Sequence, residues 1–124
     1  LSRVINLAKN NEFQKALRIG KSLQKKIPNS DVLTNTLGII YRRLGKFREG
    51  KYWSKRAIEI NPKFWAAYNN LARIYHDEGE IDQSLDIYKK LASYFKIKDY
   101  KVFTNKNSIF KKKYDFFLNQ LLKK

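Results

Sequence analysis

The chain matches itself when slid by 34 positions. Leu37, Gly38, Tyr41, Gly45, Phe47, Ala57, Ile60 and Pro62 fall on Leu71, Ala72, Tyr75, Gly79, Ile81, Leu91, Tyr94 and Lys96, with no gap at the 34-residue offset. Sliding the other way, Gly45, Phe47, Gly50, Ala57 and Pro62 fall on Asn11, Phe13, Ala16, Leu23 and Pro28. A fixed period of this length marks stacked two-helix units, each burying its apolar sides against its neighbours. Such arrays build surfaces for other molecules rather than reaction pockets.

The rest of the sequence narrows the function classes. The 124 residues imply one domain, and 43% hydrophobic with 15% aromatic content supplies a core. There is no cysteine, which excludes disulfides, thiol nucleophiles and Cys-ligated zinc, and one histidine, His76, cannot build a multi-His site. No cofactor or metal is therefore expected. No apolar run approaches the roughly 20 residues that span a bilayer. The N-terminus opens directly into repeat sequence, so no signal peptide is expected; this leaves the compartment open and favours the cytoplasm only slightly. There is no methionine and the first unit starts part-way through a helix, so the chain is expected to be a portion of something longer. Net charge is +16. It is unevenly spread: residues 65–96 set Asp77, Glu78, Glu80, Asp82 and Asp86 against Arg73, Lys89, Lys90 and Lys96, while both flanks are strongly basic. Such a balance favours acidic partners, anionic surfaces or nucleic acid.

Helix signals recur from unit to unit. Pro28, Asn29, Ser30 and Asp31 form a turn and N-cap cluster ahead of Leu33, Leu37, Ile40, Tyr41 and Leu44, which share one helical face. That helix stops at Gly45, and a second, carrying Phe47, Trp53, Ala57, Ile58 and Ile60, ends at Asn61-Pro62. The next unit repeats the scheme with Trp65 to Tyr75, a turn at Glu78-Gly79-Glu80, and Ile81 to Phe95. In the first unit Asn11 takes the place of Gly45, a residue that tolerates positive φ.

These residues resemble the tetratricopeptide repeat. The stretch NTLGIIYRRLGKFREGKYWSKRAIEINP follows its pattern nearly throughout. WAAYNNLARIYHDEGEIDQSLDIYKKL follows it up to the terminal proline, replaced by Lys96, and LAKNNEFQKALRIGKSLQKKIP covers the latter part of a unit. The resemblance spans residues 1–96 as three units, a truncated 1–30, then 31–64 and 65–96. It implies an all-α, right-handed solenoid of stacked antiparallel helix pairs. Thr34, Ser54 and Gly20 depart from the pattern's large or aromatic residues, and Trp53 is expected to fill part of the gap at Ser54. After Lys96 the period fails. Residues 97–124 read as a connector and a basic amphipathic helix from about Ile109, whose apolar face of Phe110, Tyr114, Phe117, Leu118 and Leu121 caps the stack.

The resemblance implies that the first helix of each pair lines a concave groove. The groove positions are then Ile5 and Ala8, Asn35, Ile39, Arg42 and Arg43, and Asn69, Arg73 and His76. Asparagine offers a donor and an acceptor to a peptide backbone, and arginine grips carboxylate or phosphate with two bonds. Some family members clamp a peptide C-terminus with a Lys/Asn set. The corresponding positions here hold Leu1, Ile5, Ala66 and Asn70, so binding of chaperone tails is not expected.

Two further features carry alternatives. Lys21, Lys55 and Lys89 recur at the same period on the second helices, as a solubilising face or an anion-binding ridge. On the last helix, Ile109 and Phe116 lie together away from its main apolar face, among Lys112, Lys113 and Lys123. A partner, another copy or an anionic membrane surface accounts for them, as does incidental exposure. Catalysis finds no support: the acids around Gly79 lie on a solvated turn without a pocket to separate their proton affinities. The leading reading is a non-catalytic scaffold that binds an acidic or polar protein segment in its groove. The alternatives are a nucleic-acid or ribonucleoprotein-associated repeat protein, although the aromatic residues mostly fall at core positions, and the repeat arm of a larger glycosyltransferase or sulfotransferase.

Overall fold

A computed structural model describes residues 1–95, the side chains of Ala92, Tyr94 and Phe95 excepted. Six helices follow one another: α1 (Ser2–Lys9), α2 (Phe13–Lys26), α3 (Asp31–Arg43), α4 (Phe47–Ile60), α5 (Trp65–Asp77) and α6 (Ile81–Phe95). No strand occurs among the described residues, and no helix among them is long and apolar enough to cross a membrane. The connector and closing helix expected over 97–124, with Ile109, Lys112, Lys113 and Phe116, lie outside the described residues.

The turn within each pair is built the same way three times. At the end of α3 the Gly45 N–H donates to the Arg42 carbonyl (2.9 Å) and the Lys46 N–H to the Tyr41 carbonyl (2.8 Å). This pair of bonds closes a helix when the intervening residue adopts positive φ. Gly45 has φ 76° and Gly79 has φ 84°. Asn11 takes φ 62° in the first unit, with Glu12 N–H donating to the Leu7 carbonyl at 2.9 Å. Asparagine there meets the expectation from its tolerance of this region. Between pairs, Ser30 caps α3 by accepting from the Leu33 N–H at 3.2 Å. Asn61, at the end of α4, donates to Asp31 Oδ2 at 2.8 Å and so ties one unit's end to its own start.

Turns this short fold each pair back on itself as an antiparallel hairpin. Contacts run α1 to α2, α2 to α3, α3 to α4, α4 to α5 and α5 to α6, and α3 also meets α5 directly. First helices thus share one layer and second helices the other. Val4, Ala16, Leu17, Leu33, Leu37, Ile40 and Tyr41 form a continuous buried cluster across the first two pairs. Trp53 packs against this cluster, its ring set edge-on to Tyr52 (centroids 5.1 Å apart). Beyond it Ala57, Ala67, Leu71, Ala72, Ile74, Tyr88 and Leu91 are buried. Small residues set the helix separations. A Cβ on Gly20 would stand 2.9 Å from Leu37 Cδ2, and one on Gly38 would stand 2.8 Å from Ser54 Oγ.

Candidate functional site on the first-helix layer

The 3.6-residue period brings Asn35, Ile39 and Arg42 of α3 onto one face, and Asn69, Arg73 and His76 of α5 onto the equivalent one. Because α3 and α5 touch, the two sets lie on neighbouring helices. Asn35 is only 5% exposed, and its Oδ1 is buried without a hydrogen-bond partner. Ile39 is half-buried. Asn69 is half-buried and accepts from the Tyr88 hydroxyl of α6 at 3.4 Å. Arg73 is half-buried, and its Nε is buried without an acceptor. His76 is exposed, with Nδ1 3.8 Å from Asp77 Oδ1. Arg43 points to the first unit: its Nη2 donates to Asn11 Oδ1 at 3.3 Å, and its guanidinium lies 5.3 Å from the Phe13 ring centroid. Ile5 and Ala8 are half-buried on α1.

Arg42 is held from below by a polar chain that the repeat pattern did not announce. Ser54 Oγ donates to the Gly50 carbonyl (2.9 Å) and accepts from Asn70 Nδ2 (2.8 Å). Asn70 Oδ1 in turn accepts from Arg42 Nε (2.9 Å). Ser54 and Asn70 are 0% and 3% exposed, so this chain crosses from α4 through α5 to α3 inside the protein. Such a chain is stabilising only when every member is paired, which these are. The family's aromatic position at Ser54 thus holds a hydroxyl that reaches a neighbouring helix.

The electrostatics at the outer end are cationic. Arg42 Nη1 lies 3.8 Å from Asp77 Oδ2, an ion pair beyond hydrogen-bond distance. Burial, and then the charge of Arg73, push the Arg42 guanidinium down to about 10, with Asp77 opposing. Burial pushes the Tyr88 phenol up to about 12, while Arg73 and Arg42 pull it the other way. The folded protein therefore holds the Tyr88 proton at pH values where the unfolded chain has lost it. This contribution to stability is complete below about 10 and disappears as pH rises through about 12. Unfolding of Tyr88→Phe, measured by denaturant titration across this range, is expected to show a shallower alkaline loss than the parent.

Lys21, Lys55 and Lys89 are all exposed, on α2, α4 and α6. Lys21 borders a shallow depression with Gln14, Leu17, Arg18, Ser22 and Lys25. Among the described residues no cluster of His, Asp or Glu is arranged to hold a metal ion.

Two family profiles for the tetratricopeptide repeat match, over residues 35–64 and 54–86. The chain is 36% identical over 59 residues to the uncharacterized protein ycf37 of Pyropia yezoensis, covering 48% of this chain and 33% of that one. It is 35% identical over 52 residues to the TPR repeat-containing protein YpiA of Bacillus subtilis (strain 168), covering 42% of this chain and 12% of that one. The chain thus spans about a third or less of the curated relatives it matches. Among solved structures, the first TPR of Spaghetti (RPAP3) bound to HSP90 peptide SRMEEVD superposes with a TM-score of 0.74 at 14% identity, covering 98% of this chain and 89% of that one. The Sgt2 TPR domain from Aspergillus fumigatus superposes at 0.73 with 15% identity, covering 97% and 75%. At these identities the likeness is one of fold.

Proposed function

The chain belongs to the tetratricopeptide-repeat family, and from that premise we propose that it is a non-catalytic interaction module gripping an extended, acidic or polar segment of a partner protein on the α3–α5 face. One observation carries the reading. Asn35 Oδ1 and Arg73 Nε, an acceptor and a donor, are buried on that layer with no partner of their own. Buried polar atoms are nearly always paired, and a bound main chain supplies both kinds of partner. The excess of guanidinium over carboxylate beside them favours acidic residues in the segment. The SRMEEVD complex of the structural neighbour lends support to peptide binding in this fold. The basic clamp expected for chaperone tails is missing here, with Asn70 engaged by Ser54 and Arg42. Nucleic-acid association rests mainly on charge; among the described residues Tyr52, at 61% exposed, is the large aromatic most open to base stacking.

A panel of extended peptides graded in Asp and Glu content tests this. The parent protein is expected to select acid-containing peptides. The Asn69→Ala/Arg73→Gln variant should lose about 1.4 kcal/mol or more, roughly tenfold in affinity, with unchanged helical circular dichroism. Equal binding by parent and variant would move the site off this face.

A further inference from the structure

We propose that Arg42 and Arg73 together hold one oxyanion, a carboxylate or phosphoryl group, between α3 and α5. The proposal rests on the partner-binding reading above and names the group that enters at this spot.

The groups that act on Arg42 are Arg73, Arg43, Asp77 and Tyr88. Arg43 is already engaged by Asn11 and Phe13. Asp77 is the single carboxylate among these groups. It is 38% exposed and stands 3.8 Å from both Arg42 Nη1 and His76 Nδ1. One loosely placed, half-solvated carboxylate therefore pairs with Arg42, while Arg73, one helical turn beyond the Asn70 that accepts from Arg42 Nε, adds a second positive charge beside it. Arg73 makes no ion pair among the described residues, and its Nε is buried without an acceptor.

Asn70 fixes Arg42 through Nε, which sets the plane of the guanidinium and leaves its outer nitrogens for a ligand. Asn70 is itself held by Ser54, so the orientation is determined by three helices before any ligand arrives. Burial raises the cost of charging Arg42, and the charge of Arg73 adds to it. An anion between the two side chains offsets the repulsion and supplies charge-assisted hydrogen bonds against the burial cost. A neutral carbonyl satisfies Arg73 Nε but leaves the repulsion, and a cation worsens it. Paired guanidinium groups match the oxygens of a carboxylate or phosphate, with several parallel N–H bonds that a lysine ammonium cannot reproduce.

The test is titration of the full chain with inorganic phosphate and, separately, with acetate, following the arginine Nε–H resonances by NMR. Sodium chloride at matched ionic strength is the reference. Saturating shifts of Arg42 and Arg73 are expected, weakened roughly tenfold in Arg73→Lys and unchanged in Lys63→Gln. Saturation by phosphate alone identifies a phosphoryl source, saturation by acetate alone a carboxylate source, and saturation by both a site that takes either oxyanion. Arg73→Met, checked for an unchanged thermal transition, guards against a folding defect. Linear shifts indistinguishable from those in chloride, or saturation at undiminished affinity in Arg73→Lys, overturn the proposal. Those outcomes leave the groove reading standing, because the peptide panel interrogates the whole α3–α5 face and the titration this one place.

Discussion

Leu37→Ala is expected to destabilise the protein by about 2–5 kcal/mol, as measured by chemical denaturation. Leu37 is fully buried in the cluster that joins the first two helix pairs. Its Cδ2 lies 2.9 Å from the place a Cβ on Gly20 would occupy, so it sits directly on the bare backbone of α2. Truncation opens a cavity at the one joint between these pairs, and an array of this kind is held by its joints. Amide exchange in α1 and α2 should therefore accelerate more than in α5.

Gly20 meets the same contact from the α2 side. In the parent, Gly20→Ala forces a methyl against Leu37 Cδ2 and to within 3.3 Å of Val4 Cγ1. Overpacking of this kind costs about 1–3 kcal/mol, offset by about 0.5–1 kcal/mol of helix preference over glycine. With Leu37 shortened, the same methyl has room. Gly20→Ala/Leu37→Ala should thus be less destabilised than the two single changes added, with a coupling of about 0.5–3 kcal/mol. Strict additivity would show that α2 and α3 are not joined through this contact.

The same region shows what was legible in the sequence. The turns were, because a helix end closed by a left-handed residue restricts the residue type; Asn11, Gly45 and Gly79 satisfy that restriction at one fixed spacing. The Ser30 cap was legible for a similar reason, since its partner, the Leu33 N–H, is only three residues away. Burial of Leu37 and Leu71 followed from the 3.6-residue period. The polar chain was not legible. Arg42 and Asn70 are 28 residues apart and Asn70 and Ser54 are 16 apart, so no local pattern pairs them. Periodicity reports that Ser54 faces inward, where the family prefers an aromatic ring, but it does not report that an amide waits there. Nor does repeat equivalence fix exposure. Asn35 and Asn69 occupy matched positions, yet Asn35 is buried while Asn69 is half-buried and meets the Tyr88 hydroxyl. Arg42 and Arg43 are neighbours in sequence but point about 100° apart around the helix, so one joins α5 and the other the first turn.

Asn70→Ala is expected to cost about 3 kcal/mol, with denaturant titration as the measurement. The cost comes from what is left behind. Ser54 Oγ loses its donor at 2.8 Å, and Arg42 Nε, part of a charged group, loses its acceptor at 2.9 Å. An orphaned buried group costs about 1–3 kcal/mol, more when charged. Ser54→Ala alone should be milder, because it orphans one N–H of Asn70 and leaves the bond to Arg42 intact. If the chain acts as a unit, Ser54→Ala/Asn70→Ala will be less destabilised than the sum of the single changes, since the second change removes a group the first had already stranded. Gly38 supplies an independent check. A Cβ there would stand 2.8 Å from Ser54 Oγ, 3.2 Å from Asn70 Nδ2 and 3.2 Å from the Ser54 backbone nitrogen. Gly38→Ala should disturb the same bonds from the side, although the third unit accepts Ala72 at the matching place. Loss of Asn70 also releases Arg42 from its fixed plane, so acidic peptides should bind Asn70→Ala more weakly even under conditions where it is fully folded. Undiminished peptide binding by folded Asn70→Ala would separate the buried chain from recognition and leave it a device of stability alone.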